Sequence, residues 1–129
     1  MDIRFLSLDE VLEIHKGEIA AAGGASEIRD IGRLKSALGS TQATFGGKLL
    51  MDLFEIAATY VHSIASNHPF LDGNKRVAAA SGLTFLYLNG YTLEEGYDEE
   101  LADKVLQLVT REIEKEDFVR YLKDKCIEL

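Results

Sequence analysis

Two helix-like runs of apolar residues meet at a short polar break, and no other feature of the chain limits its fold as tightly. From Met51 the residues Leu53, Phe54, Ile56, Ala57, Tyr60, Val61 and Ile64 recur three and four apart, the spacing of a helix with a wide buried stripe. His68–Gly73 interrupts the pattern. Asn74 to Leu88 then resumes it with Val77, Ala78, Leu83, Phe85, Leu86 and Leu88, apolar on most sides, and Asn89-Gly90 supplies a C-terminal stop. A helix of that kind belongs at the centre of a bundle. Its first half, Ala78-Ala79-Ala80-Ser81-Gly82, is small enough to let neighbouring helices approach closely, while the larger residues of the second half fill the core.

The flanking segments are helical as well. Ser7-Leu8-Asp9-Glu10 has the pattern of a capping box, with Val11, Leu12, Ile14 and Ile19 following at helical spacing, so a first helix is expected from Leu8 to Ala22, stopped by Gly23-Gly24. Asp30 can cap a short helix from Ile31 to Leu38. Gly39–Lys48, with Gly46-Gly47 and the β-branched Thr41 and Thr44, lacks helical periodicity and reads as a mobile loop or short hairpin, here called the flap. Asp98 is expected to cap a helix reaching about Glu112, and Glu116 to Lys125 to form the last one. With one proline and no run of strand alternation, the expected fold class is all-α: about six helices in a single domain over residues 1–129, with at most a small hairpin at the flap.

Charge narrows the partners. The 22 acidic and 14 basic residues leave a formal charge of −8, a field that repels a phosphate backbone, so a direct nucleic-acid partner is not expected. The single cysteine, Cys126, cannot close an intramolecular disulfide, and Met1-Asp2-Ile3-Arg4 does not begin a leader peptide. The apolar stretches Leu53–Ala65 and Val77–Leu88 are shorter than a bilayer span and broken by polar residues. A cytoplasmic protein without a membrane segment is expected.

The polar break carries the chemistry. A loop ending at a helix N-terminus offers free amides and the positive end of a helix dipole, which favour an anion such as phosphate. Gly73 lets backbone approach a ligand, Asn74 can cap the helix or bond a phosphate oxygen, and Lys75 and Arg76 neutralise negative charge. Asp72 is a hard oxygen ligand of the kind that holds magnesium on nucleotide phosphates. His68 is the one group of the segment able to take a proton from a hydroxyl near neutral pH.

At these residues the chain resembles the Fic-fold proteins, and more closely their death-on-curing (Doc) branch, the toxins of type II toxin–antitoxin modules. The Fic signature His-Pro-Phe-x-(Asp/Glu)-Gly-Asn-Gly-Arg-x-x-Arg is kept at His68, Pro69, Phe70, Asp72, Gly73, Asn74 and Arg76. Lys75 stands in place of the second glycine and Ala79 in place of the second arginine, which moves the match from AMP transfer toward the Asn-Lys-Arg form of the Doc branch. Further matches lie in Ile14-His15, Gly23-Gly24, Ile28-Arg29-Asp30, Leu34, Ala37-Leu38 and Phe85 to Tyr91. The resemblance implies a Fic-fold helical bundle that transfers the γ-phosphate of ATP to a threonine of elongation factor Tu and arrests translation. It implies His68 as base, Asp72 as the magnesium ligand, and Gly73, Asn74, Lys75 and Arg76 around the phosphates; on their own chemistry Phe70 reads as an anchor that buries its ring and Pro69 as stiffening the loop. It further implies that the flap residues Thr44, Phe45, Gly46, Gly47 and Lys48 dock the target as an added strand. The self-restraining motif of some Fic proteins, Ser/Thr-x-x-x-Glu-Gly/Asn, is absent, so restraint falls to a Phd-type antitoxin with a disordered tail. AMP transfer and a non-catalytic binding module of the same fold are the alternative readings.

Plainer roles suffice elsewhere. His15 and His62 read as hydrogen-bonded core or boundary residues, since neither has a second ligand at helical spacing. Arg29-Asp30 could line the active-site cleft or, equally well, form an ion pair plus cap; the run Glu94 to Glu100 reads as a solvated loop and helix start, and Cys126 as a thiol near a fraying end.

Overall fold

The computed structural model describes residues 2–129. Six α-helices, here α1 (Leu8–Ala22), α2 (Ile31–Gly39), α3 (Leu53–Asn67), α4 (Asn74–Leu88), α5 (Asp98–Val109) and α6 (Lys115–Lys125), form the all-α bundle that the periodicity predicts. The capping box of α1 is present: Ser7 Oγ accepts from the Glu10 amide at 3.2 Å, and Glu10 returns the bond to the Ser7 amide at 2.8 Å. Asp52 and Glu55 repeat the device at the start of α3, so that helix begins at Leu53, two residues after Met51.

The core lies where α3 and α4 pack. Tyr60, Phe70, Phe85, Ile56, Ile64 and Leu86 are fully buried, joined by Leu34 of α2 and by Phe118 and Leu122 of α6. Gly82 sets the closeness of the α3–α4 contact: a Cβ there would lie 2.6 Å from Val61 Cγ2 and 3.1 Å from the Ala57 carbonyl oxygen. The N-terminal segment is held across the bundle by the Leu6 amide, which donates to Tyr60 Oη at 2.9 Å, and by Asn89, whose amide pairs with the Arg4 main chain in both directions at 2.9 Å.

Several local expectations are corrected. Of the two readings of the flap the hairpin holds, preceded by a turn: Ser40–Gln42 forms a 3-10 turn, and Thr44–Phe45 (β1) pairs antiparallel with Lys48–Leu49 (β2) around Gly46 and Gly47, both at positive φ. Two consecutive glycines in that conformation match the twist of a tight hairpin. Asp98 does not cap α5. Tyr97 takes the cap position and Asp98 is the first helical residue, where its charge still complements the dipole. The helix ends at Val109 rather than near Glu112, because Arg111 turns left-handed at φ 65. The C-terminus is not frayed: Cys126–Glu128 (β4) pairs antiparallel with Tyr91–Leu93 (β3), and the Leu129 amide donates to the Gly90 carbonyl at 2.9 Å. Both strands are too short to alternate visibly in sequence, and each forms only because the other lies beside it. No helix among the described residues is long and apolar enough to cross a membrane.

Candidate active site

His68 is the cap residue that ends α3, and its backbone is left-handed at φ 49 and ψ 54. For a residue with a Cβ this costs about 1–2 kcal/mol, which the packing of the following residues must offset. Pro69 and Phe70 do so, both buried, and Phe70 has no exposed surface at all. They pin the chain just beyond α3 and leave the His68 side chain at the surface.

A second segment zips onto this loop. The Arg29 and Asp30 amides both donate to the Pro69 carbonyl, at 2.9 and 3.0 Å, and the Leu71 amide donates to Glu27 at 3.1 Å. Ile28 and Phe70 form an isolated antiparallel bridge between the two stretches. Asp30 serves the cap role expected of it: its Oδ1 accepts from the Gly32 and Arg33 amides at 2.9 and 3.2 Å. Arg33 then reaches the end of α3, donating to the Asn67 carbonyl at 3.4 Å, while Asn67 donates back at 3.0 Å.

Gly73, at φ 82, is the cap of α4, a position at which a Cβ would be strained. The first helical hydrogen bond runs from Val77 to Gly73 at 2.8 Å, so the amides of Asn74, Lys75 and Arg76 have no partner within the helix. Asn74 itself is committed to the loop: Oδ1 accepts from the Phe70 amide at 3.0 Å and Nδ2 donates to the Phe70 carbonyl at 2.9 Å. Its side chain therefore does not cap α4, and one of its two Nδ2 hydrogens is committed within the loop. Its contribution is the shape of the loop.

Around these amides lies a cleft of about 320 Å³ lined by His68, Leu71, Asp72, Gly73, Asn74, Lys75 and Arg76. All of the signature side chains singled out for chemistry border it. Asp72 Oδ2 accepts from the Ala25 amide at 2.8 Å, and Arg76 donates to the Gly23 carbonyl at 3.2 Å, so the turn after α1 is bonded to two of the lining residues. No group of three or more metal-ligating His, Cys, Asp or Glu side chains exists among the described residues. The donor set is a single carboxylate beside exposed Lys75 and half-buried Arg76, and it suits a hard cation that keeps most of its shell from water and phosphate. None of Thr44, Phe45, Gly46, Gly47 and Lys48 lines the cleft, and all five are exposed.

Two histidines separate in the structure. His62 lies at the surface rather than in the core, beside Arg111 and Lys115 near the α5–α6 turn. His15 is 3% exposed and stacks on Phe70, with ring centroids 3.9 Å apart and planes 7° from parallel. His15 is the hydrogen-bonded core residue expected of it, and Ala25 is a site residue that pattern reasoning missed. Nothing local marks their contacts with Asp72, which lie across a gap in sequence that only folding closes. A larger groove of about 670 Å³ opens beside the cleft between α1, α4 and α5, its walls mostly Ala79, Ala80, Leu83, Leu101, Val105 and Leu106, with Lys75 and Arg76 at its mouth.

Comparison with known proteins shows the family. The profile described as the Fic/DOC family matches residues 5–86, a span that runs from the N-terminal segment through the loop and most of α4. The chain is 37% identical over 111 residues to Protein kinase doc of Escherichia phage P1, covering 86% of each chain. It is also 37% identical over 110 residues to Toxin Doc of Mycolicibacterium smegmatis, covering 84% of this chain and 82% of that one. With the signature residues around one cleft and the match spanning most of the bundle, the chain belongs to the Fic/DOC family.

Proposed function

We propose that this protein is a Doc-type phosphotransferase that moves the γ-phosphate of ATP to a hydroxyl of a target protein, a threonine of elongation factor Tu, and so arrests translation. The observation that carries the reading is the placement of an exposed imidazole, His68, on the same small cleft as Asp72, Lys75, Arg76 and the unbonded amides of α4. The name of the phage relative, Protein kinase doc, supports the phosphotransferase class. Lys75 and Ala79, in place of a second glycine and a second arginine, support phosphate over AMP as the transferred group.

In this reading His68 removes the proton of the target hydroxyl as its oxygen bonds to the γ-phosphorus. The bond from that phosphorus to the β–γ bridging oxygen breaks, and the nucleoside diphosphate leaves. Phosphoryl transfer needs mostly positioning and charge stabilisation, which the α4 amides with Lys75 and Arg76 supply at a helix N-terminus. Asp72 would hold a magnesium ion, which supplies further neutralisation of the phosphates. Asn74 keeps the loop in shape from within. The exposed edge of the flap hairpin would receive the target as an added strand.

Restraint by a Phd-type antitoxin fits the groove between α1, α4 and α5. Its apolar floor suits the apolar face of a helix that folds on binding, and its mouth adjoins Lys75 and Arg76. The deciding experiment incubates the protein and candidate targets with ATP labelled at the α or the γ phosphate. Label on the target from the γ position alone is expected; label from the α position alone would establish AMP transfer instead. Growth arrest that survives His68→Ala would point to a non-catalytic binding role.

A further inference from the structure

We infer that His15, outside the signature and on a different helix, is a positioning residue that presents Asp72 to the bound metal–nucleotide. The activity arm of this inference rests on the phosphate-transfer reading, while the geometry stands without it.

His15 Nε2 lies 3.1 Å from the main-chain carbonyl oxygen of Asp72, 57 positions away in sequence. A carbonyl oxygen only accepts, so the ring carries its hydrogen on Nε2 and donates. Asp72 is held a second time at its carboxylate, where Oδ2 accepts from the Ala25 amide at 2.8 Å. Gly24 allows that approach, since a Cβ there would lie 3.2 Å from Asp72 Cβ. The peptide orientation of Asp72 is thus set by α1, and the rotation of its carboxylate by the turn that follows α1. With Oδ2 engaged, Oδ1 remains as the oxygen without a protein partner among the described residues, the one left to face a cation.

Space-filling alone does not account for a histidine here. Any aromatic ring would stack on Phe70, and a buried imidazole carries a desolvation cost that an apolar ring avoids unless its polar atoms are bonded. The bond to Asp72 is what the imidazole adds. Residues that orient a metal-binding carboxylate from behind change metal affinity or activity about 10–100-fold when replaced.

The test uses His15→Gln and His15→Met, side chains of matched length that differ in the donor, with His15→Phe to keep the stack without the donor. The probe is manganese with ATP, followed by paramagnetic broadening of the Asp72 and Gly73 amide signals in the full chain. Half-maximal broadening is expected at about tenfold higher manganese in His15→Met and His15→Phe than in the native protein, with His15→Gln close to native. Circular dichroism confirms that each variant is folded, and any variant that is not is set aside in favour of the other donor-free one. The metal dependence of phosphate transfer should shift in the same order. Equal manganese requirements in folded His15→Met and His15→Gln overturn the inference, and so does a native protein whose Asp72 signal is untouched by saturating manganese–ATP. A native protein that shows the broadening at Asp72 yet transfers no γ-phosphate refutes the phosphate-transfer reading and leaves the positioning role standing.

Discussion

The Asn74 amide and the Phe70 backbone form a closed two-bond ring, Phe70 N to Asn74 Oδ1 at 3.0 Å and Asn74 Nδ2 to Phe70 O at 2.9 Å. The ring ties the buried anchor of the loop to the first turn of α4 and is one of the bonds that shape the cleft. Replacing Asn74 by Asp removes the donor and sets a carboxylate against the Phe70 carbonyl. We expect a loss of about 1–3 kcal/mol in urea unfolding, together with loss of phosphate transfer. Unchanged stability in Asn74→Asp would show that the ring does not hold the loop.

His68 couples function to strain. Its left-handed backbone suits glycine better than histidine, while its imidazole is the proposed base. His68→Gly should therefore abolish transfer and leave the protein as stable as the native one or up to about 1 kcal/mol more stable. A comparison of denaturation midpoints and γ-label incorporation in one preparation checks both halves.

The α3–α4 contact leaves no room at Gly82. Gly82→Ala places a methyl within 2.6 Å of Val61 Cγ2 and 3.1 Å of a backbone oxygen, so the helices must separate. A cost of about 1–3 kcal/mol in chemical denaturation is expected, despite the better helix propensity of alanine. Because α4 begins at the cleft, nucleotide binding should weaken as well.

Phe45 on the flap is 80% exposed and belongs to no core contact. Phe45→Ala should leave stability within about 0.5 kcal/mol of native and leave ATP binding unaffected, while raising KM for the protein target. A KM change confined to ATP would remove the flap from target docking.

The Arg4–Glu10 pair makes a pH prediction. The hydrogen bond from Arg4, and then the Ser7 amide, hold the Glu10 carboxyl down at about 2, well below the usual carboxylate range. A folded-state value below the unfolded one stabilises above the unfolded pKa and is lost as pH falls toward the folded one. The pair is exposed to solvent, so screening keeps its contribution small. Glu10→Gln, which can still accept from the Ser7 amide, should be less stable than native at pH 7, and the difference should close between pH 5 and pH 2. Thermal denaturation across that range measures it.

Local chemistry made the helices and the signature legible in advance. Ser7 with Glu10, Gly23-Gly24, the stripe from Leu53 to Ile64 and Asn89-Gly90 each act within a few residues, which is the range over which caps, stops and periodicity operate. The Arg111 turn and the β3–β4 pair escaped because their causes lie outside that range: β3 depends on a strand more than thirty residues away, and neither is long enough to show a pattern. His62 and His15 look alike in sequence, each a single histidine on an apolar helix, yet one faces solvent and the other lies under Phe70.

By itself, the polar break between α3 and α4 determined that a helical bundle carries a loop with a base, a carboxylate and basic groups at a helix N-terminus. Tertiary structure decided how each of those residues is used. Asn74 turns inward because the Phe70 backbone lies within hydrogen-bond reach, and Asp72 is oriented by His15 and Ala25. Spacing along one chain specifies which groups share a loop. Only packing between distant segments specifies which of their hydrogen bonds are already taken, and therefore which remain for a ligand.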